Sequence, residues 1–244
     1  MIQKIVIFII SILDFFHNKK IINFLKKNKY TNFNLIFDIG AHKGESIKLF
    51  LKNLKVNEII SFEASPINFS FLKKNHEKIK KKFYNTNIKI ENIALGSDSK
   101  KVTLKQLAES SSSTINQINK NSLYFKKKFK ILNLFHHKEL YQPIEIKLET
   151  LDNYLNQHNL TKVDFLKIDT EGYEYEVLLG LKTKIKSIKL IMFEHHYDNM
   201  IRKNYSFREI RNLLKENNFK MIFKAKMPLR KTFEYIFINN GLIN

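Results

Sequence analysis

The 244-residue sequence contains no cysteine, no tryptophan, and only 6 glycines and 3 prolines. Without cysteine the chain cannot form a disulfide framework, a cysteine-ligated zinc site or a thiol nucleophile. The scarcity of glycine and proline excludes collagen-like and linker-rich architectures. Hydrophobic residues still make up 43% of the chain, which is enough for a sizeable core. Length and composition therefore predict one α/β domain with a small appendage.

Arginine is scarce, although the chain has a large excess of basic residues. The chain has 43 Lys and Arg against 23 Asp and Glu, a formal net charge of +20, which by itself suggests a polyanionic partner. Only four of the basic residues are arginine: Arg202, Arg208, Arg211 and Arg230. Because arginine is the side chain that binds phosphate bidentately, the composition disfavours a dedicated nucleic-acid-binding protein.

Residues 1–32 form a candidate N-terminal helical extension. Ile5 to Leu13 is nearly all apolar, but it is shorter than the roughly 20 residues that a spanning helix needs. No small-residue cleavage site follows, so a cleaved signal peptide is not expected. Five lysines come next: Lys19, Lys20, Lys26, Lys27 and Lys29. Two interpretations stay open, a helix docked on the domain and a helix in residues 1–30 that lies on an anionic membrane. We expect a cytoplasmic protein, with peripheral membrane association under the second interpretation.

From residue 33 onward, strand patterns alternate with helix patterns. Strands are predicted over 34–39, 58–63, 88–95, 101–105, 163–169, 188–194, 219–224 and 233–239. Helices are predicted over 47–53, 66–75, 173–181 and 206–217. This alternation predicts a doubly wound, mostly parallel sheet, and the short link through Pro228 predicts an antiparallel last strand. We expect the domain to cover 33–244, with an insertion near the site over 107–143.

A small-residue turn follows the first predicted strand and opens a helix. Gly40 and Gly44 allow a ligand to approach the backbone closely while helix N–H groups face it. Glu63 ends the next strand, 19 residues beyond Gly44, where an acidic residue binds a ribose diol in nucleotide-binding α/β folds. The carboxylate of Asp38 would repel a pyrophosphate but suits the cationic groups of S-adenosylmethionine. The pattern therefore favours this methyl donor over NAD.

Five sequence blocks together resemble one family. They are Phe37-Asp38-Ile39-Gly40-Ala41-His42-Lys43-Gly44, Phe62-Glu63-Ala64-Ser65-Pro66, Asn92-Ile93-Ala94-Leu95-Gly96, Glu149-Thr150-Leu151-Asp152 and Lys167-Ile168-Asp169-Thr170-Glu171-Gly172-Tyr173-Glu174. Their order is that of the FkbM family of methyltransferases, which the chain resembles over about residues 33–198. The family more often has Asn in place of His42 and Pro in place of Ala64.

The resemblance implies a class I, Rossmann-like methyltransferase fold with a seven-stranded sheet, and S-adenosylmethionine as methyl donor, usually for transfer to oxygen. It implies donor contacts from eight residues: Asp38, Gly40, Ala41 and Gly44 at the methionine part, Glu63 at the ribose, and Asn92, Ala94 and Leu95 beside the adenine.

Carboxylates and histidines follow the two predicted strands that end near this turn. Ligands of open α/β sheets bind outside the carboxyl ends of strands, and methyl transfer to a hydroxyl needs a group that takes its proton. The candidates are Asp169, Glu171, His195 and His196. Glu171 could instead compensate a helix dipole, and strand alternation sends one histidine into the core. We predict no metal site, although Asp169, Glu171 and Glu194 could alternatively gather a divalent ion.

The leading hypothesis is therefore an enzyme that methylates a hydroxyl of a glycan, a lipid-linked sugar or a secondary metabolite. One alternative is a nucleic-acid methyltransferase, which the +20 charge suggests and the arginine scarcity disfavours. Another is a membrane-associated binding module without turnover, because fold alone does not fix chemistry.

Overall fold

Strands and helices alternate along the chain as the pattern predicts. The structure, a computed structural model, describes residues 2–107, 113–127 and 141–242, with side chains from residue 11 onward. The strands are β1 (Asn32–Ile39), β2 (Lys55–Phe62), β3 (Asn87–Glu91), β4 (Ala94–Leu95), β5 (Lys101–Leu107), β6 (Ser113–Thr114), β7 (Gln117–Ile118), β8 (Tyr141–Glu149), β9 (Val163–Ile168), β10 (Ile188–His196), β11 (Ile201–Arg202), β12 (Phe219–Lys226) and β13 (Thr232–Asn239). The helices are α1 (Ile2–Lys27), α2 (Glu45–Asn53), α3 (Pro66–Lys82), α4 (Leu151–Gln157), α5 (Glu174–Leu179) and α6 (Phe207–Glu216), with 3₁₀ turns at Lys182–Ser187 and Asn240–Leu242.

The central sheet has seven strands in the order β12-β13-β10-β9-β1-β2-β3. Strand β13 is antiparallel to both of its neighbours, β10 and β12, while the remaining pairs are parallel. The predicted mostly parallel sheet with an antiparallel last strand is thus confirmed. Register places Asp38 beside Lys167 and Glu194 beside Glu234, so charged side chains of four strands meet at one end of the sheet.

The predicted strand 88–95 is wrong as a single element. Strand β3 ends at Glu91 and joins the central sheet, whereas β4 pairs with β8 in a second sheet of order β4-β8-β5-β6. The break lies at Asn92, whose side-chain amide donates to the carbonyl of Glu63 at 2.8 Å and turns the chain. Within the expected insertion, residues 108–112 and 128–140 lie outside the described part of the chain.

The helix starts follow local capping chemistry. The hydroxyl of Ser65 accepts from the N–H of Asn68 at 3.1 Å at the start of α3, and Pro66 occupies the first helical position. Ser206 and Glu209 form the predicted capping box of α6. Each cap satisfies helix N–H groups that otherwise lack a partner and so defines where the helix begins.

The second half of α1 docks on the sheet. Ile21, Ile22 and Leu25 are buried in the core layer that also covers β1 and β10. The ring of Phe24 lies 4.5 Å from that of Phe223 on β12. The docked interpretation therefore describes this half of the helix. Among the described residues, no helix has the length and apolar character needed to cross a membrane.

Candidate active site

The loop after β1 is pressed against the end of β9. The N–H of Asp169 donates to the carbonyl of Ile39 at 2.9 Å, and the N–H of Gly40 donates to that of Phe62 at 2.9 Å. Gly40 has φ +82°, and a Cβ placed on it would lie 1.9 Å from the carbonyl oxygen of Asp169. Only glycine fits here, because a side chain would meet both backbone strain and backbone atoms.

A buried ion pair lies beneath this loop. The ammonium of Lys167 lies 3.1 Å from Asp38 Oδ1 and 3.5 Å from Asp169 Oδ2, and it donates to the carbonyl of Gly40 at 3.1 Å. Burial alone would lower the pKa of Lys167, but the Asp38 and Asp169 carboxylates outweigh it and raise that pKa above its ordinary value. Asp38 also accepts from Ser46 Oγ and is fully buried. Its charge is therefore balanced by Lys167 inside the protein.

Glu63 is held by backbone donors at the end of β2. Its Oε2 accepts from the N–H of His42 at 2.8 Å and its Oε1 from the N–H of Ser65 at 2.9 Å. Burial raises the pKa of Glu63, and these hydrogen bonds oppose that shift. Since each carboxylate oxygen accepts more than one hydrogen bond, the side chain keeps acceptor capacity for a diol.

A cleft opens between these elements and encloses about 710 Å³, including solvent at its mouth. The predicted site residues that line it are Gly40, Glu63, Ala94, Leu95, Asp169 and Glu171. Asp38, Ala41, Gly44, Asn92, His195 and His196 are not among its lining residues. Asn68, which the sequence did not single out, also lines it. Asn68 Oδ1 is buried without a hydrogen-bond partner in the described structure.

His196 lies within a group of carboxylates at the end of β10. Its Nε2 is 3.4 Å from Glu171 and 3.3 Å from Glu194, and its Nδ1 is 3.7 Å from Asp198. Burial opposes the charge, but these carboxylates raise the pKa of His196 to about 10. Burial and the nearby Asp169 carboxylate raise the pKa of Glu194 well above its usual range. The imidazole is therefore a cation at neutral pH.

His195 lies on the other face of the same strand. Its ring packs against Tyr197, Tyr205 and Phe207, with centroids 4.8, 6.0 and 5.7 Å away. Burial, helped by the positive charges of Lys203 and His196, lowers the pKa of His195 to about 3. Of the two histidines, His195 is thus the neutral one in the core, a distinction that strand alternation alone could not make.

Two tyrosines and an arginine near the carboxylates were missed by the sequence reasoning. The pKa of Tyr141 is raised to about 12 by burial and by the charge of Glu171. Burial also raises the pKa of Tyr124. The charge of Arg230 lowers this pKa, and the charge of Glu171 raises it. Tyr124 and Tyr141 pack in one small apolar cluster. Both tyrosines lie inside the expected insertion, where no local pattern marked them.

The segment at β6 and β7 is tied to the Glu171 loop. Thr114 Oγ1 donates to the carbonyl of Glu171 at 2.8 Å, and the Asn116 amide donates to the carbonyl of Gly172. Glu171 itself has φ +52°, so these bonds hold a strained turn. Among the described residues, no three His, Asp or Glu side chains are arranged to hold a metal ion.

Solved structures of similar fold are methyltransferases. A methyltransferase FkbM from Methylobacillus flagellatus is 13% identical with a TM-score of 0.54, over 85% of this chain and 43% of that one. Magnesium protoporphyrin IX methyltransferase of Synechocystis, solved with bound S-adenosylmethionine, is 8% identical with a TM-score of 0.54, over 95% and 82%. A putative tRNA methyltransferase of Streptococcus pneumoniae is 10% identical with a TM-score of 0.50, over 91% and 72%. The chain thus spans less than half of the Methylobacillus protein, and these likenesses show the class I methyltransferase fold.

Curated protein sequences give no match to this chain. Residues 38–221 match the model of a family described as the methyltransferase FkbM domain, and this range contains every residue of the cleft and of the carboxylate group around His196. The fold and the donor-side turn agree with that match. The chain therefore belongs to the FkbM family of S-adenosylmethionine-dependent methyltransferases.

Proposed function

We propose that the protein transfers a methyl group from S-adenosylmethionine to a hydroxyl oxygen, on a glycan, a lipid-linked sugar or another secondary metabolite. The observation that carries the proposal is the pair Asp169 and Glu171, two partly exposed carboxylates in the same cleft as Glu63. A hydroxyl must lose its proton when it gains a methyl group, and a positioned carboxylate can take that proton.

The cleft residues fit this methyl donor. Gly40 provides the close backbone approach that a side chain would block, and we assign Glu63 to the ribose hydroxyls because its carboxylate retains acceptor capacity. Asn68 Oδ1, buried and unpartnered in the described structure, adds an acceptor, while Ala94 and Leu95 give an apolar wall for the adenine. When bound, S-adenosylmethionine supplies an electrophilic methyl carbon.

We assign the proton-accepting role to Glu171. The backbone N–H of Asp169 holds it against the loop after β1, and its carboxylate pairs with Lys167. We therefore place Asp169 on the side of the cleft that would bind the methyl donor. The carboxylate of Glu171 instead lies 3.4 Å from His196, and its charge helps to raise the pKa of Tyr141. Tyr124 and Tyr141 would then present apolar ring surface to a sugar or another flat acceptor.

His196 acts in this scheme as a positioning residue. As a buried cation 3.4 Å from Glu171, it pairs with the carboxylate and holds it at the cleft. Its own charge leaves it unable to accept the proton, and His195 is enclosed by aromatic rings. The lone pair that receives the proton is therefore assigned to Glu171.

The donor assignment is tested by calorimetric titration of S-adenosylmethionine and S-adenosylhomocysteine. Glu63→Gln keeps the size of the side chain but sets an NH2 group against one of the two backbone N–H donors, those of His42 and Ser65. We expect donor affinity to fall at least tenfold, the cost of about one charged hydrogen bond. Glu216→Gln, on the exposed face of α6, serves as matched control. Equal affinities for both variants would refute the ribose assignment.

The acceptor-side assignment is tested with Glu171→Gln. We expect donor binding to persist and release of S-adenosylhomocysteine from a panel of hydroxyl acceptors to fall by about 10²-fold or more, the usual contribution of a general base. Glu216→Gln should turn over like the wild type. Full turnover in Glu171→Gln would remove Glu171 from the chemistry, whereas loss of donor binding as well would indicate a structural role.

A nucleic-acid acceptor is the second candidate, favoured by the net charge of +20. The carboxylates of Asp169 and Glu171 in the cleft would repel a phosphate backbone, which is why we rank it second. Binding of RNA and DNA oligonucleotides at several salt concentrations separates the two. A steep salt dependence that persists to physiological ionic strength would favour the nucleic acid.

A further inference from the structure

Helix α1 runs along the sheet and passes the edge where the cleft opens. Its second half packs on β12 through Phe24. Further towards its start, His17 Nε2 lies 2.8 Å from Glu234, which pairs with Glu194 at the end of β10. Asp14 then accepts from Arg230, in the turn between β12 and β13, at 3.0 Å. The helical residues 2–13 therefore continue beyond this edge, by about 18 Å at the usual helical rise.

This projecting part of α1 is apolar in sequence. Within residues 2–13 only Gln3, Lys4 and Ser11 are polar. Immediately after them Phe15 and Phe16 are 63% and 54% exposed. The helix therefore holds large aromatic rings in solvent beside the cleft, although a soluble surface rarely gathers such side chains without a partner.

Two other segments place exposed leucines around the same edge. Leu229, 82% exposed, precedes Arg230, which holds Asp14. Leu123, 78% exposed, precedes Tyr124, whose phenol lies within electrostatic range of Arg230. We call the set Phe15, Phe16, Leu123 and Leu229 the apolar rim. The contact between Asp14 and Arg230 thus brings the segments of Phe15–Phe16 and Leu229 together, and the electrostatic interaction of Tyr124 with the same arginine places the Leu123 segment near them.

Exposed lysines accompany each of these segments. They are Lys19 and Lys20 on α1, Lys126 and Lys127 after Leu123, and Lys231 after Arg230. Apolar side chains flanked by lysine match the two layers of an anionic bilayer, with apolar groups at the acyl boundary and ammonium groups at the headgroups. A symmetric contact between two copies of the chain would instead bring these lysines close to one another.

From these observations we propose that the apolar rim docks on an anionic lipid surface, with the cleft facing the bilayer. The acceptor then comes from that surface, as a hydroxyl on a lipid-borne molecule; this last step rests on the proposed methyl transfer, whereas the docking does not. The docked half of α1 acts as the rigid support that fixes the distance from the membrane to the cleft.

The test is co-sedimentation of the full chain with vesicles of phosphatidylcholine alone, or with about 30 mol% phosphatidylglycerol. We expect binding to the anionic vesicles, weakened by added salt. Phe15→Ser with Phe16→Ser should reduce partitioning at least tenfold. The control is Tyr84→Ser, because Tyr84 is 80% exposed in the link between α3 and β3, at the opposite edge of the sheet. It should bind like the wild type.

Several results would overturn the docking proposal. They are the absence of wild-type binding to anionic vesicles, equal binding by the double variant, or an equal loss in Tyr84→Ser. A concentration-dependent dimer that the double variant abolishes, with vesicle binding unchanged, would assign the rim to a second copy. Circular dichroism and thermal unfolding confirm that each variant is folded, and Leu229→Ser gives a second, independent perturbation. Vesicle binding by a protein that does not bind the donor would refute the methyl-transfer proposal and leave the docking proposal intact.

Discussion

Removal of the ammonium of Lys167 should destabilise the protein strongly. Lys167→Met takes away the positive charge that lies 3.1 Å from Asp38 and 3.5 Å from Asp169, and also the donor to the carbonyl of Gly40. Asp38 is fully buried, so its carboxylate would remain unpaired in the core. Breaking a buried pair in this way costs about 3–5 kcal/mol. For a chain of this size that corresponds to a fall in Tm of roughly 6–20 °C.

Thermal and urea unfolding measure the effect, and a double-mutant cycle isolates its cause. Lys167→Met with Asp38→Asn removes both charges and should be about 2 kcal/mol more stable than Lys167→Met alone. Lys101→Met is the control, since its pair with Glu145 at 2.9 Å is exposed and should be worth less than about 1 kcal/mol. A loss of unfolding free energy below about 1 kcal/mol in Lys167→Met would refute the reasoning. So would a double variant whose loss of unfolding free energy is as large as the losses of the two single variants added together.

Two further perturbations follow from the same site. The folded pKa of His196, about 10, lies above its unfolded value near 6.5, so its stabilisation is complete below about pH 6.5 and is lost as the pH rises towards 10. The folded pKa of His195, about 3, lies below the unfolded value near 6.5. Its stabilisation is therefore present above about pH 6.5 and is lost as the pH falls towards 3. Urea midpoints against pH should show His196→Gln flattening the alkaline limb and His195→Gln the acid limb; unchanged limbs would contradict the assigned charge states. Gly40→Ala should lower the free energy of unfolding by more than about 1 kcal/mol and weaken donor binding, because its Cβ would meet the Asp169 carbonyl. The control is Gly241→Ala, whose Cβ would have only an Asn239 side-chain oxygen nearby, at 3.3 Å. It should match the wild type in both unfolding and donor titration.

Local sequence patterns were sufficient to predict most of the fold. Continuous apolar runs marked β9 and β10, and the caps at Ser65 and Ser206 marked the starts of α3 and α6. Strand β8 was missed because Pro143 and alternating polar residues weaken its pattern. It gains its stability from pairing with β5 over Tyr141–Lys147 and with β4 at its last two residues. The split at Asn92 was missed because a side-chain bond to a distant carbonyl leaves no trace in the local pattern.

The site was predictable where spacing along the chain decides position. Glu63 and Gly40 come to one cleft because their strands are neighbours in a parallel sheet. The pairing of Asp38 with Lys167 depends on register between strands more than 120 residues apart in sequence. The contributions of Asn68 and Tyr141 depend likewise on burial and tertiary contact. Such relations appear only when the chain is folded.

The two bonds from Thr114 and Asn116 to the Glu171 turn restrict how this protein can diverge. They attach the segment at β6 to the backbone carbonyls of Glu171 and Gly172, in the turn that holds the proposed proton acceptor. Most residues around the insertion can drift under selection for a new acceptor without disturbing that turn. Replacements at Thr114 or Asn116 would instead remove one of these two bonds and, under the proposed mechanism, lower turnover with any acceptor. The evolutionary freedom of the loop therefore ends at these two anchor points.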